Sequence, residues 1–243
     1  MHVAEIWRYP VKSMAGEPLD EVIVGPLGLE GDRIVHAEKA SGRYVTARTH
    51  PRLLGHKART GFSGEPLVDG RPWMDDDVRA DIVRIAGAGA RLVRDESGDR
   101  FDVLPLLVAT DGAIAAFGYD GRRLRPNIVI GGVEGLAERT WPGHCLRIGD
   151  VVIRLVDLRG RCVMTTFEPD TLEQDPGVLK SIVTRFDGTL ALNADVVAGG
   201  RLRRGDPVEL LTPEACRRRA GMPRLDGGMP HLDDDDRLCH SQG

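Results

Sequence analysis

Residues 145–166 read CLRIGDVVIRLVDLRGRCVMTT. Three short apolar-rich runs, at 145–148, 151–156 and 161–166, are separated by turns, and Gly149-Asp150 is a tight reversal between the first two. Gly205-Asp206 repeats the device further on. Working outward, runs of the same kind recur at 127–130, 190–193 and 208–211. Toward the N-terminus they recur at 2–7, 21–24, 33–38, 44–47, 66–68, 78–85 and 90–95. Residues 51–54 suit a short helix or a loop. Only two windows read as longer helices: AIAAFGY after 110–112, capped by Thr110 or Asp111 and ending near Gly118, and residues 172–186. Many short strands, few helices and frequent glycine turns predict a mostly β protein with some α, built as a barrel-like architecture. A dinucleotide fold is excluded, because no GxGxxG follows a strand and no run of βαβ units occurs. GAGA at 87–90 reads as a turn.

The chain has 243 residues, enough for one or two domains with a sizeable core. Hydrophobic residues make up 41% and charged residues 29%, the balance of an ordinary globular protein. Asp and Glu number 37 against 33 Lys and Arg, for a net charge of -4. That argues against a nucleic-acid binder but leaves room for a local basic pocket. No apolar run approaches the roughly 20 residues of a membrane span. The start, MHVAEIWRYPVKS, lacks the basic-then-apolar order of a secretory leader, so no membrane association and a cytoplasmic location are expected. From Thr212 onward an arginine run, an aspartate run and interspersed glycine and proline predict a mobile tail. Asp233–Asp236 with His231 and His240 fit a solvated tail better than a divalent-ion site.

Cys145, Cys162, Cys216 and Cys239 form no CxxC pair, fit neither zinc nor iron–sulfur spacing, and are expected as free thiols. Only four lysines occur, so nearly all positive charge is arginine, whose planar fork suits phosphate and carboxylate. Basic residues recur beside turns: Lys12-Ser13, Arg33, Arg48, Arg122-Arg123, Arg125-Pro126-Asn127 and Arg159-Gly160-Arg161-Cys162. Taken singly, each reads as a solvated surface charge. Brought together, they would make an arginine-lined anion pocket, with Thr110 and Asp111 adding a helix N-terminus. Asn127 both donates and accepts, which suits the edge of a heterocycle. Beside Arg159 and Arg161, Cys162 would favour its thiolate and could ligate a metal; the competing reading is a buried core cysteine. No histidine motif for a metal is present, Ser13 lacks a nucleophile elbow, and a hydrolase reading of Cys162 lacks a placeable histidine.

Several stretches together resemble the MOSC superfamily, the molybdenum-cofactor sulfurase C-terminal domain proteins. They are RYPVKSM at 8–14, GLEGDRIV at 28–35, GRYVTARTHPRL at 42–53, LPLLVAT at 104–110, RLRPNIVI at 123–130, RGRCVMTTFEPDT at 159–171 and GRLRRGDPVEL at 200–210. The likeness is strongest to the branch with a β-rich N-terminal domain, which includes the mitochondrial amidoxime reducing component and bacterial relatives. It implies a β-rich N-terminal domain over 1–98, packed against a MOSC β-barrel domain over 99–211, with the tail at 212–243. It also implies a molybdenum centre on a single pterin (molybdopterin) in the cleft between the domains, with Cys162 as metal ligand and catalytic thiolate. Lys12, Ser13, Arg33, Arg125 and Asn127 would surround the cofactor, Thr110 and Asp111 would lie near its phosphate, and Arg48 and Arg161 are further candidates. Asn127 would also orient substrate. The implied chemistry is reduction of small N-hydroxylated compounds by removal of the oxygen, with electrons from a separate flavin or iron–sulfur protein, since the four clustered cysteines of a ferredoxin domain are absent. TLEQDPGVLK at 171–180 and TLALNADV at 189–196 depart from the family pattern on the substrate side. A cofactor carrier or storage protein, and a sulfur carrier using a Cys162 persulfide, would use the same residues.

Overall fold

The structure is a computed structural model and describes residues 1–219. Its centre is an eight-stranded sheet. In spatial order the strands are Glu209–Leu211, Cys145–Ile148, Val151–Gly160, Thr189–Ala198, Leu106–Thr110, Ile128–Gly131, His2–Arg8 and Glu17–Leu19. Every neighbouring pair is antiparallel except Leu106–Thr110 with Ile128–Gly131, which run parallel with the helix Asp111–Phe117 as part of the crossover. The sheet curls back on itself, so that the strand His2–Arg8 meets the segment entering Glu209–Leu211: His2 bridges Pro207, and the Val208 N–H donates to the Met1 carbonyl. Closure covers edges that would otherwise be open to pairing. The interior is filled by Val, Ile and Leu side chains from nearly every strand, among them Val3, Ile6, Val108, Ile130, Ile153 and Leu192. The expected β-rich, barrel-like architecture is what forms.

The N-terminal residues are woven into this barrel. His2–Arg8 pairs with Ile128–Gly131, and Glu21–Gly25 pairs with Gly200–Arg203. A second core, around Val11, Met14, Val35, Leu53 and Ile82, lies under two smaller three-stranded sheets built from residues 35–94.

Four local expectations are corrected. Residues 78–85 are not a strand but part of the helix Asp76–Ala86. The Asp75 carboxylate accepts from the Asp77 N–H at its start, and Val78, Ile82 and Ala86 bury one face at a spacing of four. The β-branched composition suggested a strand, but the buried spacing decides. Residues 161–166 do not continue as a strand either. The ladder of Val151–Gly160 stops, and a 3-10 turn, Val163–Thr166, follows with Cys162 at its head. The Thr165 and Thr166 hydroxyls donate to the carbonyls of Cys162 and Val163, the local bonding that draws threonine out of a sheet. Finally, the start of the supposed tail is ordered. Pro213–Arg219 is a helix, and Cys216 is buried in a disulfide with Cys145, so these two are not free thiols. Closing a loop across 71 residues of sequence is worth on the order of 2–4 kcal/mol. The Asp233–Asp236, His231, His240 and Cys239 readings lie outside the described residues. The second helix begins at Pro176 rather than 172, with Asp175 as its cap and proline in the first turn.

Thr110 does cap Asp111–Phe117, accepting from the Ala113 N–H at 3.1 Å. Its hydroxyl in turn donates to Glu138 Oε2 at 3.2 Å. Glu138 is fully buried, its Oε1 has no partner, and burial pushes its pKa up. The folded chain therefore holds a proton that the unfolded chain sheds in the ordinary glutamate range, so stability falls as pH rises through the folded-state pKa. Glu138→Gln is expected to remove that component. Its melting temperature should exceed that of the parent at about pH 8, with the gap closing toward about pH 4. Parallel melting curves across pH would refute the assignment.

Candidate active site

The end of Val151–Gly160 delivers Arg159, Arg161 and Cys162 to the mouth of a cavity between the two cores. The Arg161 main-chain N–H donates to the Gly188 carbonyl at 2.9 Å, which turns the chain at this point. Opposite, the chain leaving His2–Arg8 supplies Lys12 and Ser13. The Lys12 N–H donates to the Val35 carbonyl at 2.7 Å, and Ser13 Oγ accepts from the Ala47 N–H at 3.0 Å. The parallel crossover supplies Arg125 and Asn127, and the turn after Gly28–Leu29 supplies Arg33. The cavity has a volume of about 170 Å³ and opens to solvent.

Three of its residues, Ser13, Arg33 and Arg125, sit at φ 70°, 53° and 56°. Such left-handed conformations cost non-glycine residues of order 1–3 kcal/mol each, and they gather where placement of a side chain outweighs local comfort.

The electrostatics are lopsided. Lys12, Arg33, Arg48, Arg123, Arg125, Arg159 and Arg161 all line the cavity, against one lining carboxylate, Asp102. Arg33 is neutralised from behind by the fully buried Asp32. The Arg125 guanidinium lies over the Tyr9 ring, 4.2 Å from its centroid, and makes no ion pair among the described residues. Burial pushes it down to about 10, which leaves it charged at neutral pH. Arg161 is likewise lowered to about 10 by burial. It donates from Nη2 to the Leu124 carbonyl at 2.7 Å, while its buried Nε has no partner. Cys162 is the free cysteine among the described residues, and Arg48, Arg159 and Arg161 are near enough to interact with it electrostatically. Tyr9 is held protonated, its pKa pushed up to about 12 by burial, and its hydroxyl donates to the Pro126 carbonyl at 3.1 Å. A half-exposed thiol in a cup of guanidinium groups, two of them with unspent donor capacity, is suited to a polyanionic ligand that also offers a soft metal.

Residues 1–69 match the MOSC N-terminal beta barrel domain, and residues 113–209 match the MOSC domain. The chain belongs to the MOSC superfamily. Among relatives of this MOSC protein, the human mitochondrial amidoxime reducing component 2 is 26% identical, covering 85% of this chain and 82% of that one. The human mitochondrial amidoxime-reducing component 1 is 27% identical over 70% of this chain and 67% of that one. Component 2 from Macaca fascicularis is 26% identical with the same coverage. Among solved structures, the YUAD protein from Bacillus subtilis aligns at 11% identity with a TM-score of 0.49, over 87% of this chain and 95% of that one, a likeness too slight to bear on function.

In this MOSC protein, Lys12, Ser13, Arg33, Arg48, Arg125, Asn127, Arg161 and Cys162 all line the one cavity. Thr110 and Asp111 do not. Asp111 accepts the N–H groups of Gly132 at 2.7 Å and Val133 at 3.0 Å, which pins the turn after Ile128–Gly131. A carboxylate in that position closes the short helix to an anion, and Thr110 is spent on its cap and on Glu138. The reading of Asn127 as a substrate-orienting residue also changes. Its Oδ1 accepts from the Leu107 N–H at 3.1 Å and from Arg33 at 3.4 Å. Its Nδ2 donates to the Trp7 carbonyl at 3.3 Å and to Asp32 at 3.1 Å. With no exposed surface and both ends of the amide committed, it ties three segments together beneath the site. Sequence reasoning missed Asp102 and Tyr9. Asp102 stands in SGDRFD, a stretch that reads as one more polar turn, and Tyr9 is an isolated aromatic with no periodicity around it.

Proposed function

We propose that this cavity holds a single-pterin molybdenum cofactor through Cys162 and that the protein reduces small N-hydroxylated compounds. The carrying observation is the free thiol of Cys162 set among Arg48, Arg159 and Arg161, with the unpaired Arg125 guanidinium and the partnerless Arg161 Nε beside it. Among the described residues no group of three or more His, Cys, Asp or Glu is placed to hold a bare ion. A metal here would therefore arrive with ligands of its own and take one thiolate from the protein. Lys12, Ser13, Arg125 and Arg161 are placed to meet the anionic groups of such a cofactor, and the amidoxime reducing relatives agree with the reaction class.

When bound, the cofactor would supply a two-electron centre able to take oxygen from an N–O bond. The protein's own part is separate. The arginines supply fixed positive charge, already turned toward the cavity, with little reorganisation to pay on binding. Asn127 and Asp32 keep Arg33 and the Leu106–Thr110 strand in register beneath the site. Electrons would come from a separate flavin or iron–sulfur protein docking at the open face.

The test is elemental analysis of the full chain made in a cofactor-producing host, followed by reduction of an aromatic amidoxime with an artificial one-electron donor. About one molybdenum per chain, with the amidine formed, is expected for a single thiolate ligand. A folded chain without molybdenum, or with only a persulfide on Cys162, would overturn the reading.

A further inference from the structure

Asp102 lies where three cations converge. Its Oδ1 is 2.8 Å from Lys12 Nζ, its Oδ2 is 2.6 Å from Arg48 Nη2, and the same Oδ2 is 3.9 Å from Arg159. We propose that Asp102 is a specificity-determining residue of this cavity: a built-in carboxylate that occupies the position an anionic group of the phosphate class takes on binding, and yields it to that group. The inference rests on the reading of the cavity as an anion site.

Two observations carry it. First, two of the three cations have an anchor other than Asp102. Lys12 Nζ also donates to the Arg100 carbonyl at 2.9 Å, and Arg159 donates to Asn193 Oδ1 at 3.3 Å. Removing the carboxylate would leave these two charges in place and uncompensated, rather than scatter them. Second, the carboxylate sits on a segment with few main-chain ties. Residues 101–105 are irregular, between the turn Gly98–Arg100 and the strand Leu106–Thr110. No main-chain hydrogen bond from the N–H groups of residues 102–104 is found among the described residues. The surrounding cations also hold the Asp102 carboxyl below the usual range, so it is charged and competes with any anion at neutral pH.

A carboxylate here has two consequences. It offsets the mutual repulsion of three cations, and it sets a threshold. Chloride or a lone carboxylate gains little by displacing it, whereas a doubly charged phosphate ester brings more charge and three acceptor oxygens to the same cations.

The experiment uses the full chain from a host that makes no pterin cofactor, with inorganic phosphate as the probe in calorimetric titrations. Asp102→Asn is expected to bind phosphate about tenfold more tightly than the parent, equivalent to about 1.4 kcal/mol. Asp102→Glu, which keeps the charge, should stay within about twofold of the parent. Asp102→Ser serves if the asparagine variant fails to fold. Unchanged or weaker phosphate binding in a folded Asp102→Asn or Asp102→Ser chain would overturn the inference, because it would make Asp102 a plain structural clamp. The molybdenum content of the parent is independent of this result, so failure here and failure of the functional reading are told apart.

Discussion

Cys162→Ala is expected to lose bound molybdenum and amidoxime reduction together, with activity down by more than about a hundredfold, while the chain stays folded. Ligand loss should exceed the 10–100-fold typical of disturbing only the groups behind a ligand. The stability cost should be small for a geometric reason. The Cys162 side chain lines the cavity and belongs to neither main core, and the nearby Arg48 keeps its ion pair with Asp102. Neighbouring structure is held by main-chain bonds the substitution leaves alone: the Thr165 N–H to the Cys162 carbonyl at 3.0 Å, and the Arg161 N–H to Gly188. A shift of under about 1 kcal/mol in denaturant unfolding is expected, as for substitutions away from buried networks. Full metal content in the alanine variant would remove Cys162 as the ligand. Metal retained with activity lost would make it a catalytic group of another kind.

Asn127→Ala should do the opposite, collapsing stability before chemistry can be measured. The substitution strips four hydrogen bonds from a residue with no exposed surface. The Leu107 N–H and the Trp7 carbonyl would be left with buried, unmet hydrogen-bonding capacity, and Asp32 would lose a donor. At roughly 1–3 kcal/mol for each orphaned group, a loss of about 3–5 kcal/mol is expected. That is a large share of the 5–15 kcal/mol by which a domain of this kind is stable. Denaturant unfolding monitored with an unchanged slope is the check. An orienting role toward substrate predicts the reverse pattern, with stability intact and activity gone, and finding that pattern would restore Asn127 to the chemistry.

Much of the site was legible without coordinates. Lys12, Arg33, Arg125, Arg161 and Cys162 each stand beside a turn signal, and the chemistry of their side chains pointed to an anion and a soft metal. Legibility failed where a residue's role depends on its neighbours. Thr110 and Asp111 have the right residue types for a phosphate at a helix start, yet Asp111 is turned onto the N–H groups of Gly132 and Val133. Cys145 and Cys216 stand 71 residues apart with nothing local to pair them, yet the strand pairing of Cys145–Ile148 with Glu209–Leu211 brings the following helix over the first cysteine. The helix Asp76–Ala86 was missed because its β-branched residues carry a strand preference that burial of one face overrides.

By itself, then, the chain determined its short-strand, turn-rich character, the cap of Asp111–Phe117, the absence of a dinucleotide fold and the inventory of guanidinium groups and cysteines. These are local properties, set by side-chain type and by preferences spanning a few residues. Tertiary structure alone decided which charges face one another: that seven cations line one cavity with Cys162, that Asp32 and Asn127 support Arg33 from beneath, and that Asp102 sits among three of them. The physical reason is that electrostatic and hydrogen-bond energies depend on separations of a few ångströms. Those separations are fixed here by strand pairings between residues more than a hundred positions apart, as between His2–Arg8 and Ile128–Gly131.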